Sequence, residues 1–201
     1  MEPIGPEPAY RQNTRRIPTM HRHLALCSII AMSLFGCASS KPPLKTVSHV
    51  DLPRYMGDWR VIANIPYFAE RGNVDSIESY ALRPDGKVAN WFRFRKKSFA
   101  APQKRYDFVG RVTNPQTNAE WSIRFAPLIN VSYLIIDLDP EYRWTVVGHP
   151  SRKYGWIMHR EKTMPEAIYQ GILARLEAQG YDSKAFAKVP QNPSDVPAVK
   201  K

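Results

Sequence analysis

Cysteine is almost absent from this chain: two occur among 201 residues, at positions 27 and 37. Both lie in or directly behind an apolar N-terminal segment. Everything downstream is free of thiols, which excludes a disulfide scaffold, a cysteine-ligated metal and a cysteine nucleophile from the body of the protein. A membrane-length apolar run is lacking here too. The N-terminal run from Leu24 to Phe35 is twelve residues long, against the roughly 20 needed to cross a bilayer. Acidic side chains are scarce, 18 against 29 lysines and arginines, for a formal charge of +11. The signatures of common chemistries are also missing: no G-x-S-x-G elbow, no G-x-G-x-x-G, no phosphate-binding glycine loop and no H-E-x-x-H. His49, His149 and His159 lack metal-ligand spacing, and Glu78, Asp107 and Glu120 fall on separate predicted strands without evident pairing. These absences predict no enzyme, no metal and no cofactor.

What is present begins with an export signal. Residues 1–19 carry four prolines and no apolar periodicity, and translation can start at Met1 or Met20. Arg22 precedes the twelve-residue core, which fits a secretory signal. Leu34-Phe35-Gly36-Cys37 resembles the bacterial lipobox, in which cysteine becomes the first mature residue and carries a diacylglyceryl thioether. Several acyl chains anchor durably where one does not, and Ala38 after the cysteine implies the outer membrane by that resemblance. The expected organisation is a leader over 1–36, a linker over 37–49 behind acylated Cys37, one domain over 50–191 and a disordered tail over 192–201, its proline-rich character beginning at Val189. An exported chain has no routine access to nucleic acid. The basic excess therefore fits an anionic membrane surface or a merely solvated face.

From Trp59 onward, short alternating runs are separated by turn signals. Strands are predicted over Trp59–Ile65, Ser76–Leu82, Val88–Arg95, Tyr106–Val112, Ala119–Phe125, Val131–Leu138, Arg143–Gly148 and Tyr154–Arg160. The Asp-Gly of Arg83-Pro-Asp-Gly-Lys87 marks a hairpin. Eight strands with short connections predict an all-β, antiparallel up-and-down barrel, whose closure removes exposed edges. Thr163-Met-Pro-Glu166 has capping-box spacing. Ile168, Ile172, Leu173 and Leu176 then recur at helical intervals up to Gly180. That predicts one C-terminal α-helix packed outside the barrel.

Three motifs in order resemble the lipocalin family, and more narrowly the bacterial outer-membrane lipocalins related to apolipoprotein D. They are Asp51-Leu-Pro-Arg-Tyr-Met-Gly-Asp-Trp59, Leu138-Asp-Pro-Glu-Tyr-Arg143 and Trp156-Ile-Met-His-Arg160. The resemblance spans roughly Val50 to Gln191. It implies that Gly57, Trp59, Asp139, Tyr142 and Arg160 are structural, with Trp59 plugging the closed end and Arg160 packed over it. It further implies that Ile65-Pro-Tyr-Phe-Ala-Glu-Arg-Gly-Asn73 is a lid over the open mouth, contributing Tyr67 and Phe68.

Side chains alternate along barrel strands. With Trp59 inward, Val61 and Ala63 share its sense. Phe92 and Phe94 alternate with arginines that belong in water, and Tyr106, Phe108, Trp121, Ile123 and Phe125 are inward by the same argument. In the sixth strand Tyr133 and Ile135 compete with Leu134 and Ile136, and the pattern does not decide between them. The implied function is uptake, storage or transport of a small hydrophobic ligand, a fatty acid or lysophospholipid, in envelope maintenance under stress. The alternative is a filled barrel that binds a protein partner. The number of copies that associate, a dimer included, is left open.

Overall fold

The computed structural model describes residues 41–196. The leader, the choice between Met1 and Met20, the Cys37 lipobox and the tail from residue 197 lie outside the described residues. Nine strands form one sheet: β1 Gly57–Asn64, β2 Asn73–Leu82, β3 Val88–Lys96, β4 Lys104–Val112, β5 Glu120–Ala126, β6 Ile129–Leu138, β7 Trp144–Gly148, β8 Gly155–His159 and β9 Ala187–Lys188. Successive strands pair antiparallel from β2 to β8, and β1 pairs with both β8 and β2, which closes the barrel. All eight expected strands are present, displaced at their ends by a few residues. Helix α1, Leu52–Tyr55, leads into β1, and α2, Glu166–Ala178, lies outside the barrel.

Two apolar clusters divide the molecule. One fills the lower interior around Tyr55, Trp59, Tyr80, Trp121, Ile135 and Met158. The other sits between the outer wall and α2, where Tyr169, Ile172 and Leu176 meet Ile136, Val146 and Ile157. The expected stripe is therefore correct, with Tyr169 added to it. The expected capping box is not formed. The helix starts at Glu166, so Pro165, which has no side-chain polar atom, occupies the cap position, and the Glu166 carboxylate accepts from Gln170 and Lys188.

The expectation of disorder from Val189 is also corrected, as far as Val196. Beyond Arg60↔Ile77, β1 and β2 diverge, and the chain after β9 fills the gap. The Val189 amide donates to Ile62, Asp75 donates to Pro190, and the buried Gln191 side chain donates to Val61 and Ser76 carbonyls at 2.8 and 3.1 Å. A 3₁₀ turn, Pro193–Asp195, ends this seam. Proline suits it, since carbonyls carry much of the pairing and a missing N–H is tolerated at an edge. At the other terminus, residues 41–49 lie along the barrel wall: Val47 donates to Ile135, and Lys41 reaches the Gly180 carbonyl.

Candidate ligand cavity

The closed end is built from the first motif. Asp51 caps α1 by accepting from the Arg54 amide, and Met56 ends it. Gly57 then turns the chain at φ +91°, a conformation that L side chains resist. Trp59 enters fully buried, its indole donating to the Tyr55 carbonyl at 2.8 Å. The Arg160 guanidinium stands 3.6 Å from the Trp59 ring centroid. It also donates to the Asp58, Arg54 and Tyr55 carbonyls. Tyr142 accepts from the Asp51 amide, and Arg54 lies over its ring. Asp139 folds its turn through Arg143, which holds its carboxyl below the usual carboxylate range. Gly57, Trp59, Asp139, Tyr142 and Arg160 thus form one latch across the base.

Above the latch, three hydroxyls make a chain: Tyr55 to Tyr133 at 2.9 Å and Tyr133 to Tyr80 at 2.8 Å. Trp121 stacks on Tyr133 at 5.0 Å. Burial pushes Tyr55 up to about 12 and the other two well above the ordinary tyrosine range, so all three are neutral hydrogen-bonding groups. This aromatic floor separates the packed lower barrel from a cavity of about 320 Å³.

Seven of the candidate pocket and lid residues line that cavity: Tyr67, Phe68, Phe92, Phe108, Ile123, Phe125 and Tyr133. Val61, Phe94 and Trp121 are buried in the interior cluster without reaching the cavity wall. Tyr106 is 46% exposed and lies beside Phe94, outside the lining. Ala63 is a correction. A β-bulge between Val61 and Ala63 in the pairing with β8 reverses the alternation. Ala63 therefore packs under α2, and Asn64 takes the inward position. The undecided sixth strand resolves with Tyr133 and Ile135 inward and Leu134 and Ile136 toward α2.

The loop between β1 and β2 contributes Tyr67, Phe68 and Glu70 to the cavity lining. Tyr67 meets the edge of Phe125 at 6.2 Å, whereas Phe68 is 83% exposed. Lys96 holds the loop by donating to the Ala69 and Arg71 carbonyls and to Asn73. Leu128, Ile129 and Phe125 are also exposed, and Phe125 brings an apolar edge to the lid.

Sequence reasoning missed the polar lining. Glu70, within that loop, is buried, with Trp156 donating to Oε1 and Asn64 to Oε2, both at 2.9 Å. Glu78 lies inside the barrel, with Asn90 donating to Oε2 at 2.7 Å. Burial raises Glu70 to about 7, and burial together with the charge of Glu70 raises Glu78 to about 8. The available signal was parity: Glu78 is two residues from Tyr80 on one strand, so it shares the face of an inward aromatic. Among the described residues, no group of three or more histidine, cysteine, aspartate or glutamate side chains could hold a metal ion.

A family profile described as Lipocalin-like domain matches residues 50–191. The chain is 29% identical over 172 residues to temperature-induced lipocalin-1 of Arabidopsis thaliana, covering 79% of this chain and 88% of that protein. It is 29% identical over 170 residues to outer membrane lipoprotein Blc of Escherichia coli K12, covering 84% and 96%. The Citrobacter freundii protein of the same name is 30% identical over 166 residues, covering 80% and 92%. Among solved structures, insecticyanin of Manduca sexta superimposes with a TM-score of 0.60 at 16% identity, covering 76% of this chain and 87% of that one.

Proposed function

Because the chain belongs to the lipocalin family, we propose that it is a carrier that binds and stores or transports a single-chain amphiphile, a fatty acid or lysophospholipid. The observation that carries this reading is the cavity, about 320 Å³, walled mostly by aromatic and aliphatic side chains and roofed by a lid. Ligand pockets span roughly 300–1,000 Å³, so this one is at the small end and suits one chain rather than two. Burying a sixteen-carbon chain at about 0.8 kcal/mol per methylene gains roughly 12 kcal/mol. Association costs about 4–15 kcal/mol, which leaves micromolar binding. A barrel packed shut, serving only a protein partner, has no use for such a space.

Anchoring at the outer membrane through an acylated Cys37, and a role in envelope maintenance under stress, belong to the same proposal. Relatives named outer membrane lipoprotein support the location. Native mass spectrometry after delipidation and exposure to a lipid extract tests the carrier role: one retained amphiphile per chain is expected, and an empty barrel would refute it. Cell fractionation of Cys37→Ser tests the anchor, with release from the membrane fraction as the expected outcome.

A further inference from the structure

The cavity's charged-residue types run against the balance of the whole chain. With 29 lysines and arginines against 18 acids overall, its lining contains two glutamates and, among the described residues, no lysine, arginine or histidine. Glu70 is fixed by neutral donors on both oxygens, from β8 and β1. Glu78 is fixed on Oε2 by Asn90, while its Oε1 has no hydrogen-bond partner among the described residues. Asn64, Tyr67, Tyr80, Asn90 and Trp156 face the pair, Ser132, Tyr133 and Tyr154 add further polar side chains to the lining, and none supplies a positive charge. Within apolar walls, a carboxylate without a countercharge is costly, and the group resists ionising instead. Both glutamates do so, and Glu78 also feels the charge of Glu70.

We propose that Glu70 and Glu78 form the polar subsite of this cavity and receive an ammonium group, so that the preferred ligand is a single-chain amphiphile with an amine head rather than a free carboxylate. This rests on the carrier reading. An entering ammonium supplies the missing countercharge and a donor for the open Oε1 of Glu78. An entering carboxylate finds no cation and places a third acid beside two. The same head group occurs in a free long-chain amine and in the ethanolamine head of a lysophospholipid, and the two sources differ only in what joins the ammonium to the chain.

The test is calorimetric titration of the full chain, free of detergent and at neutral pH, with dodecylamine, dodecanoic acid and dodecan-1-ol. A second pair, lysophosphatidylethanolamine and lysophosphatidylglycerol, separates the lipid source from the free amine. The amine is expected to bind at least about tenfold tighter than the acid, equivalent to about 1.4 kcal/mol, with the alcohol between them. A larger preference in the lysophospholipid pair than among the dodecyl compounds assigns the lipid source; the reverse assigns the free amine. Glu78→Gln keeps the size and the Asn90 contact, and the amine-to-alcohol affinity ratio is expected to fall toward one; Glu70→Gln provides a second variant. Equal binding of amine and acid, or tighter binding of the acid, overturns the subsite while the carrier reading stands. No binding by any of the five compounds overturns both. The wild-type series decides even if neither variant folds.

Discussion

Replacing Arg160 with alanine tests the latch at the base of the barrel. The guanidinium sits 3.6 Å over the Trp59 ring, a contact of about 0.5–2 kcal/mol. It also bonds four carbonyls, of Asp58 at 2.9 Å, of Arg54 and Tyr55 at 2.8 and 3.2 Å, and of Tyr142 at 3.4 Å. Arg160 is only partly buried, so water can re-solvate those oxygens, and each bond counts near the low end of about 0.5–1.5 kcal/mol. The expected loss is about 2–4 kcal/mol. Arg160→Lys keeps the charge but cannot span four acceptors with one compact ammonium, and should lose about half as much. Urea denaturation followed by tryptophan fluorescence reads both. With slopes of about 1–3 kcal/mol per molar, the alanine variant's midpoint should fall by about 1–2 M at unchanged slope. A loss under about 0.5 kcal/mol, or a lysine variant equal to wild type, would mean that Trp59 is held by burial alone and the latch contributes nothing.

Three further outcomes are expected. Because Glu70 and Glu78 titrate near 7 and 8 against 4.5 for an ordinary glutamate, the folded protein holds protons that the unfolded chain has released; stability should decline as pH rises through that window and level off above it. The facing groups, Asn64, Tyr67, Tyr80, Asn90 and Trp156, stay neutral across it, so thermal melts of Glu78→Gln should show a shallower decline, and a wild-type melt that rises over the same window contradicts the burial argument. Gly155→Ala places a Cβ 2.9 Å from Phe186 Cζ and should destabilise by about 1–3 kcal/mol, with partial recovery in combination with Phe186→Leu; an alanine variant as stable as wild type would show that the ring yields freely. Gln191→Ala removes two bonds across the β1–β2 seam, and hydrogen exchange should accelerate at the Val189 and Asp75 amides while those of β4 and β5 are unaffected.

Strand number, order and the outer helix were legible because alternation and turn chemistry are local, and each local signal agreed with closure into a barrel. Trp59 and Arg160 were legible as partners only through family resemblance, since 101 positions separate them and neither periodicity nor spacing links a tryptophan to an arginine. Ala63 was misplaced because a bulge changes facing without changing composition, and nothing in Val61-Ile-Ala-Asn64 announces one. The tail was misread for a related reason: Val189-Pro-Gln191 has a disordered composition, yet its value lies in carbonyls and one buried amide matched to a seam that exists only after β1 and β2 diverge. Glu78 was visible as an isolated acid, but its meaning required knowing that Glu70, eight positions away on a different element, faces the same space.

The two ends of the barrel solve opposite problems with the same residue types. At the base, aromatic rings are tied by arginine and by backbone carbonyls, and the tyrosine hydroxyls satisfy one another, so no polar atom there needs a ligand. At the mouth, the rings of Phe92, Phe108 and Phe125 line the cavity while stacking on neighbouring rings, and two acids lack a cation. A sequence selected for stability alone would replace Glu78, since an apolar isostere avoids the cost of burying a carboxyl. Its presence at a cavity wall with no positive side chain beside it fits the proposed recognition of an ammonium head. The floor makes that tolerable, because the latch and the hydroxyl chain stabilise the barrel independently of what occupies the space above them.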